Sequence, residues 1–305
     1  MSNTPPVTTL RYDEIGQRLR AFRLGSGLSA DEIGQRIGIS RTAVYRFEKG
    51  EVVKIETLLS LAELLGVSLP SLLGVEIEYI SSAVTYFERL RQLEETADRI
   101  IVLAGPISYL LASDRFCGFL QELLRESVAG ETHDRDRLYR DVDRIMEILE
   151  ARKATYRDRR PSVINLISAL DMERLLRSGL VGRTLVAEAE LDKRRALAVE
   201  EVEHFARLME AEPIGVQIGL VTGTLPRTGL QVFRSGDRKT LSISPFRLGE
   251  QPNIRLGVAM ITETQEALRL HETMIDEMWD GALKGDVAAR YLRDLIAAVE
   301  ARDAS

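Results

Sequence analysis

Apolar positions recur three and four residues apart through the first seventy residues, in short blocks separated by glycines. This is the signature of several short helices, each with one face turned to a core. Ile15, Leu19 and Phe22 share a face of a first helix near Tyr12–Leu24. Ile33 and Ile37 mark a second helix, and Ile39, Val44 and Phe47 mark a third. Ser29 and Ser40 stand where their hydroxyls cap the starts of those two helices. Glu32, three residues after Ser29, completes a capping box. Gly38 occupies the turn between them, where a positive φ disfavours a residue with a Cβ. Ile55–Leu65 predicts a fourth helix and Ser68–Leu73 a fifth, with Pro70 in its first turn and Gly74 closing the unit.

The remaining pattern is longer and more mixed. Ile77–Arg99 reads as one amphipathic helix with two apolar stripes. Ile77, Ile80, Val84 and Phe87 form one, and Tyr79, Ala83, Tyr86, Leu90, Leu93 and Ala97 the other. Such a helix must bury both stripes, so the first is assigned to a second copy of the chain, as a dimer interface. The competing reading buries the whole helix inside one large domain. Ile100–Ala104 reads as a buried strand, followed by helices at Ile107–Ser127 and Asp134–Tyr156. The run SVINLISALDMERLLRSG begins as a strand and ends as a helix, and Asp192–Glu212 is helical up to Pro213. Val216–Val221, Leu230–Phe233, Thr240–Ile243 and Ile254–Ile261 are short β-rich runs between the turns LPRTG, RSGDR and LGEQPN. Helices at Glu263–Leu283 and Asp286–Ala301 close the chain. The expectation is an α+β protein. An all-α five-helix domain spans residues 1–75, and a larger mixed α/β domain with a small sheet spans 76–305.

The segment Leu28–Gly50, LSADEIGQRIGISRTAVYRFEKG, leaves Arg41, Thr42, Tyr45 and Arg46 outside its apolar face. These side chains suit base edges and phosphates. The frame IGQRLRAFRLGSGLSADEIGQRIGISRTAVYRFEKGE, continued by IETLLSLAELLGVSLPSLLG, resembles the phage-repressor-like helix-turn-helix family (XRE, or Cro/C1 type) over roughly Tyr12–Leu73, about a fifth of the chain. The resemblance implies that the helix after the turn lies in the DNA major groove. It places Arg41, Thr42 and Arg46 against bases, and Tyr45 against a base, a thymine methyl or the backbone. Ser29, Ser40, Lys49 and Lys54 fall where the family contacts phosphate, and Arg23 and Glu48 where it forms a structural pair. Gly34 departs from the family, which often has Ala there; glycine weakens the helix by up to ~1 kcal/mol. The implied function is a dimeric, sequence-specific transcriptional regulator, by family default a repressor, on an inverted-repeat operator in double-stranded DNA.

Charge alters that picture only in its distribution. The net charge is −6, yet residues 1–74 hold 9 Lys and Arg against 8 Asp and Glu, and residues 75–305 hold 32 against 39. The acidity belongs to the second part, and DNA contact needs only a local basic face. A length of 305 residues favours two domains. Cys117, the only cysteine, rules out an intramolecular disulfide and reads as a packing residue. No apolar run approaches a membrane span, and the lead-in SNTPPVTT has no signal-peptide pattern, so the chain is expected in the cytoplasm. There is no GxxxxGK[ST], HExxH or GxSxG motif. His133, His204 and His271 show no metal-ligand spacing. The dipeptides Ala104-Gly105 and Ala129-Gly130 lack the serine and lysine that self-cleaving repressors use. No enzyme, metal or cofactor is therefore expected.

More than two hundred residues beyond the DNA-binding unit call for another use, and binding of a small-molecule effector is the reading adopted here. Arg247 and Arg255, beside sheet residues, are the candidates for holding an anionic group of that effector. Arg152, Lys153, Arg157, Arg159 and Arg160 form the densest basic run, which reads first as a solvated helix end. The alternative from another class is a regulator whose second domain holds a protein partner, as an antitoxin or anti-activator does.

Overall fold

The computed structural model describes residues 11–75, 77–103, 105–130, 134–182, 187–226, 228–249 and 251–303. The lead-in, Ala104 and His133 lie outside the described residues. Five helices open the chain: α1 (Tyr12–Ser26), α2 (Ala30–Ile37), α3 (Arg41–Glu48), α4 (Ile55–Leu65) and α5 (Leu69–Leu73). Ser29 caps α2 in a complete capping box with Glu32, and Ser40 accepts from the Ala43 amide at the start of α3. Gly38 follows α2 at φ 73°, the left-handed conformation expected of that turn. Ile15, Leu19, Ile33, Val44, Leu58, Leu61 and Leu72 meet in the core of this unit.

The rest of the chain builds one seven-stranded mixed sheet: β1 (Ile77–Ile80), β2 (Arg99–Leu103), β3 (Ser162–Ser168), β4 (Val216–Val221), β5 (Gly229–Ser235), β6 (Arg238–Ser244) and β7 (Ala259–Thr262). The spatial order is β1-β7-β6-β5-β2-β3-β4. Strands β2, β3 and β4 are parallel, and every other neighbouring pair is antiparallel. The connecting helices are α6 (Ala83–Glu94), α7 (Asp114–Val128), α8 (Arg135–Arg159), α9 (Ala169–Ser178), α10 (Glu188–Ala211), α11 (Gln265–Gly281) and α12 (Gly285–Asp303). Leu268 and Ile275 of α11 pack with Leu103, Leu166, Leu230, Val232 and Leu241 on one face of the sheet. The opposite face shares a single apolar cluster with the other helices and with the N-terminal unit. The α+β reading holds, and the early strand joins the late ones as β2, between β3 and β5.

The reading of Ile77–Arg99 as one helix is corrected. Residues Ile77–Ile80 are an edge strand antiparallel to β7, and a helix begins only after Ser82, whose hydroxyl accepts from the Thr85 amide. Strand alternation, not helical spacing, turns Glu78 and Ile80 inward. The dimer stripe is corrected with it. Ile80, Val84 and Phe87 are buried within one chain, and Ile77 is half-buried in β1. They are core residues, so no second copy reaches the three buried ones. The helix expected from Ile107 starts at Asp114 instead, because Ser113 caps it by accepting from the Phe116 amide. Residues 107–112 are a buried turn closed by the Leu111 and Ala112 amides on the Ser108 carbonyl. Of the run Ile254–Ile261 only the last part joins the sheet, as β7.

Burial of Glu78 joins the two parts of the chain. Its carboxylate accepts from Arg18 Nε of α1 at 2.6 Å and from Arg89 Nε and Nη2 of α6 at 2.9 Å each. Gln92 of α6 donates to the Gln17 carbonyl of α1 at 3.0 Å. Arg238, at the start of β6, holds both Glu14 of α1 and Glu263. Gly25 allows the closest approach, since a Cβ there would lie 1.8 Å from Thr85 Oγ1 of α6. The sheet face also carries one uncompensated group. Asn165 of β3 is fully buried, and neither amide atom has a partner among the described residues.

Burial by itself pushes the Glu78 carboxyl up, but the charges of Arg89 and Arg18 and their hydrogen bonds outweigh it and hold the group below its ordinary 4.5. A carboxyl depressed on folding contributes stability above its unfolded value and loses it as pH falls through the folded one. Glu14, held down chiefly by Arg238 against its own burial, acts in the same direction. The urea midpoint is therefore expected to fall as pH drops from about 5 towards 3, and Glu78→Ala is expected to flatten that fall. At neutral pH Glu78→Ala, which strands two buried guanidiniums, should cost roughly 3–5 kcal/mol in urea unfolding; a cost under ~1 kcal/mol would refute the interlock. Asn165→Leu, which removes an orphaned amide at similar volume, should leave the thermal midpoint unchanged or raise it.

Candidate nucleic-acid interface and the cavity behind it

Helix α3 turns Val44 into the core and leaves Arg41, Thr42, Tyr45, Arg46 and Lys49 exposed on its outer side. Arg41 lies over the Tyr45 ring at 5.4 Å, and Arg23 lies over the same ring at 5.9 Å. Tyr45 thus contacts two guanidiniums and stays exposed. Arg46 is not an open cation: its Nε donates to both Glu51 carboxylate oxygens at 2.7 Å. Both partners are exposed, so the pair is weak and exchangeable for a phosphate or base edge. The sequence reading missed Glu51, although its position five residues after Arg46 at a helix end was visible. Lys49 and Lys54 are exposed at the end of α3 and at the start of α4. Ser29 and Ser40 sit at the N-termini of α2 and α3, where free amides favour a phosphate. The Ser29 hydroxyl is already committed to Glu32, from whose amide it accepts and to whose carboxylate it donates.

The pose of α3 depends on α1 and α2. Arg23 of α1 grips the Glu48 carboxylate, with Nη2 at 3.0 Å from Oε2. Gly16 lets α1 cross under the end of α3, since a Cβ there would lie 2.5 Å from the Phe47 carbonyl oxygen. Gly34 does the same for α2, where a Cβ would lie 2.5 Å from the Ile39 carbonyl oxygen in the turn.

Behind this unit, α6 forms one wall of a cavity of about 270 Å³. Tyr86, Phe87 and Leu90 face it from α6, Val102 and Gln231 from the sheet, and Phe246 from the segment after β6. It lies at the carboxyl end of β2, where the parallel strands meet the antiparallel ones. Arg247 stands on its rim, exposed, with Nε donating to the Gln251 carbonyl at 3.0 Å. Arg255 is not there; it borders a separate open groove between the N-terminal unit and α8. The basic run of α8 divides: Arg157, Arg159 and Arg160 are exposed at the helix end, as expected, and Arg152 and Lys153 are buried. Arg152 is buried in a two-point contact with Glu94 at 2.9 and 2.7 Å, and Lys153 is buried 3.0 Å from Cys117 Sγ. Arg157 pairs with Asp114, and Arg159 donates to the Glu94 carbonyl. His204 and His271 are each tied to a main-chain carbonyl at 2.8 Å, and no metal-binding group of His, Cys, Asp or Glu occurs among the described residues. Nor is any described helix long and apolar enough to cross a membrane.

Gly34→Ala is the informative test of the α2–α3 pose. Helix propensity alone favours Ala by up to ~1 kcal/mol, but the Cβ meets a backbone carbonyl that only a shift of the turn can relieve. The variant should be less stable in thermal melts and weaker on DNA; a more stable variant would disprove the close approach.

No curated protein matches the chain at a significant level. A family model described as a helix-turn-helix domain matches residues 14–73, which span α1 to α5 almost entirely. Residues 14–73 are therefore a helix-turn-helix domain of the Cro/C1, XRE-like type, the domain of a DNA-binding regulator.

Proposed function

We propose that this chain is a sequence-specific transcriptional repressor that binds an inverted-repeat operator as a homodimer, with a small molecule in the cavity setting its affinity for DNA. It acts by binding, not by catalysis. In this reading residues 1–75 read DNA and residues 76–305 hold the effector. Arg41, Thr42 and Arg46 read bases, Tyr45 packs against them, and Ser29, Ser40, Lys49 and Lys54 hold phosphates. One observation carries the regulatory half: α6 lines the cavity with Tyr86, Phe87 and Leu90, while its Glu88 and Gln92 contact α1 of the DNA-binding unit directly and its Arg89 shares Glu78 with Arg18 of α1. A molecule that fits the cavity better in one setting of α6 therefore favours one setting of α1, and with it α3. Pairing of two copies has to use surfaces other than Ile80, Val84 and Phe87, which are interior.

The reading is tested on an operator selected from random duplexes. Arg46→Ala should cost ~1–3 kcal/mol on that operator and relax preference at one base pair. An equal loss on all sequences would make Arg46 a phosphate contact, and no loss at all would remove α3 from the interface.

A further inference from the structure

The charge balance of the cavity points to the kind of molecule it takes. We infer that the site binds a compact monoanion, an aromatic or alicyclic carboxylic acid, with its ring inside and its carboxylate on Arg247. This rests on the effector-site reading above and narrows it.

The interior favours a ring. Phe87, Leu90, Val102 and Phe246 are buried, and the Tyr86 ring lies 5.7 Å from that of Phe246 at 45°. A body without charge gains by displacing water from such walls. Apart from Arg152, which Glu94 neutralises, the buried polar groups inside are uncharged. Gln231 stands beside Val102 in the β5–β2 register, on the cavity side of the sheet. The Tyr86 hydroxyl is 3.1 Å from Ser242 Oγ, and burial pushes it up, so it stays protonated. Neither group offers a counter-charge, so an ion held deep inside would lose hydration without compensation.

Among the described residues, the charged groups on the lining divide into satisfied pairs and one remainder. Arg152 is matched by Glu94, and Asp171 is matched by Arg174 at 3.0 Å. Arg247 meets a main-chain carbonyl, and among the described residues it pairs with no carboxylate. That bond fixes the guanidinium plane through Nε and leaves the two Nη groups to receive a carboxylate at the rim, where charge stays hydrated until contact. Asp171 is the only acid on the lining among the described residues, and it is already paired. A cation would meet a surplus of positive charge.

The test uses the full chain and two matched probe pairs: 2-naphthoate with 2-naphthamide, and cyclohexanecarboxylate with its carboxamide. Binding is measured by titration calorimetry on wild type and on Arg247→Gln, an exposed position whose replacement spares the core. At least one acid is expected to bind about tenfold or more tightly than its amide, and Arg247→Gln should bring the acid to the level of the amide while leaving the amide unchanged. An amide that binds wild type as well as its acid would overturn the monoanion assignment and leave the effector site standing. An acid preference that survives Arg247→Gln would overturn the role of Arg247. No binding by any of the four would remove both this inference and the effector-site reading.

Discussion

A buried carboxylate must be compensated where it sits, and Glu78 is compensated by arginines from two sides of the molecule. Arg18 belongs to the first helix of the DNA-binding unit and Arg89 to the helix that follows β1. Within its own part Arg18 also reaches Glu14, and Arg89 holds Glu78, but only the joined parts give the buried Glu78 carboxylate both of its arginines. The same constraint explains why one apolar cluster runs from Ile15 and Leu19 through Val84 and Phe87 into the sheet.

With that joint in place, α6 becomes the shared element. One side supports α1, whose contacts through Gly16 and Arg23 set the pose of α3. The other side closes a cavity at the point where β2 has a parallel neighbour on one edge and an antiparallel one on the other. The buried turn at residues 107–112 covers that cavity in place of a helix.

Electrostatics follows a common rule through the chain. Arginines in the interior are paired, as Arg152 is with Glu94 and Arg194 with Glu126 and Glu190. Positive charge open to an outside partner includes α3 with the start of α4, and Arg247 on the rim of the cavity. Even on α3, Arg46 is screened by Glu51 until something replaces it.

The sequence by itself determined the N-terminal unit. Its caps at Ser29 and Ser40, its turn at Gly38 and its apolar spacing are local signals, acting within a few residues of where they are read. The same holds for β2, β4 and the closing helices, whose apolar runs and flanking turns predicted them nearly to the residue. What only the tertiary structure decided were contacts between distant segments. Glu78 looked like a polar gap in a helix, and became an inward strand residue because β7 offered an edge and two arginines offered charge. Ile80, Val84 and Phe87 looked like a surface stripe because periodicity tells which residues share a face, not what covers it. The basic run in α8 is a solvated end at Arg157, Arg159 and Arg160, but its start is buried: Arg152 is held by Glu94, 58 residues away, a partner that local pattern does not show. Arg247 and Arg255 looked equivalent, yet they border two different pockets, one beside the sheet and one between the N-terminal unit and α8. Helix and turn formation obey short-range sterics and hydrogen bonding; burial and charge compensation depend on which chain segments meet.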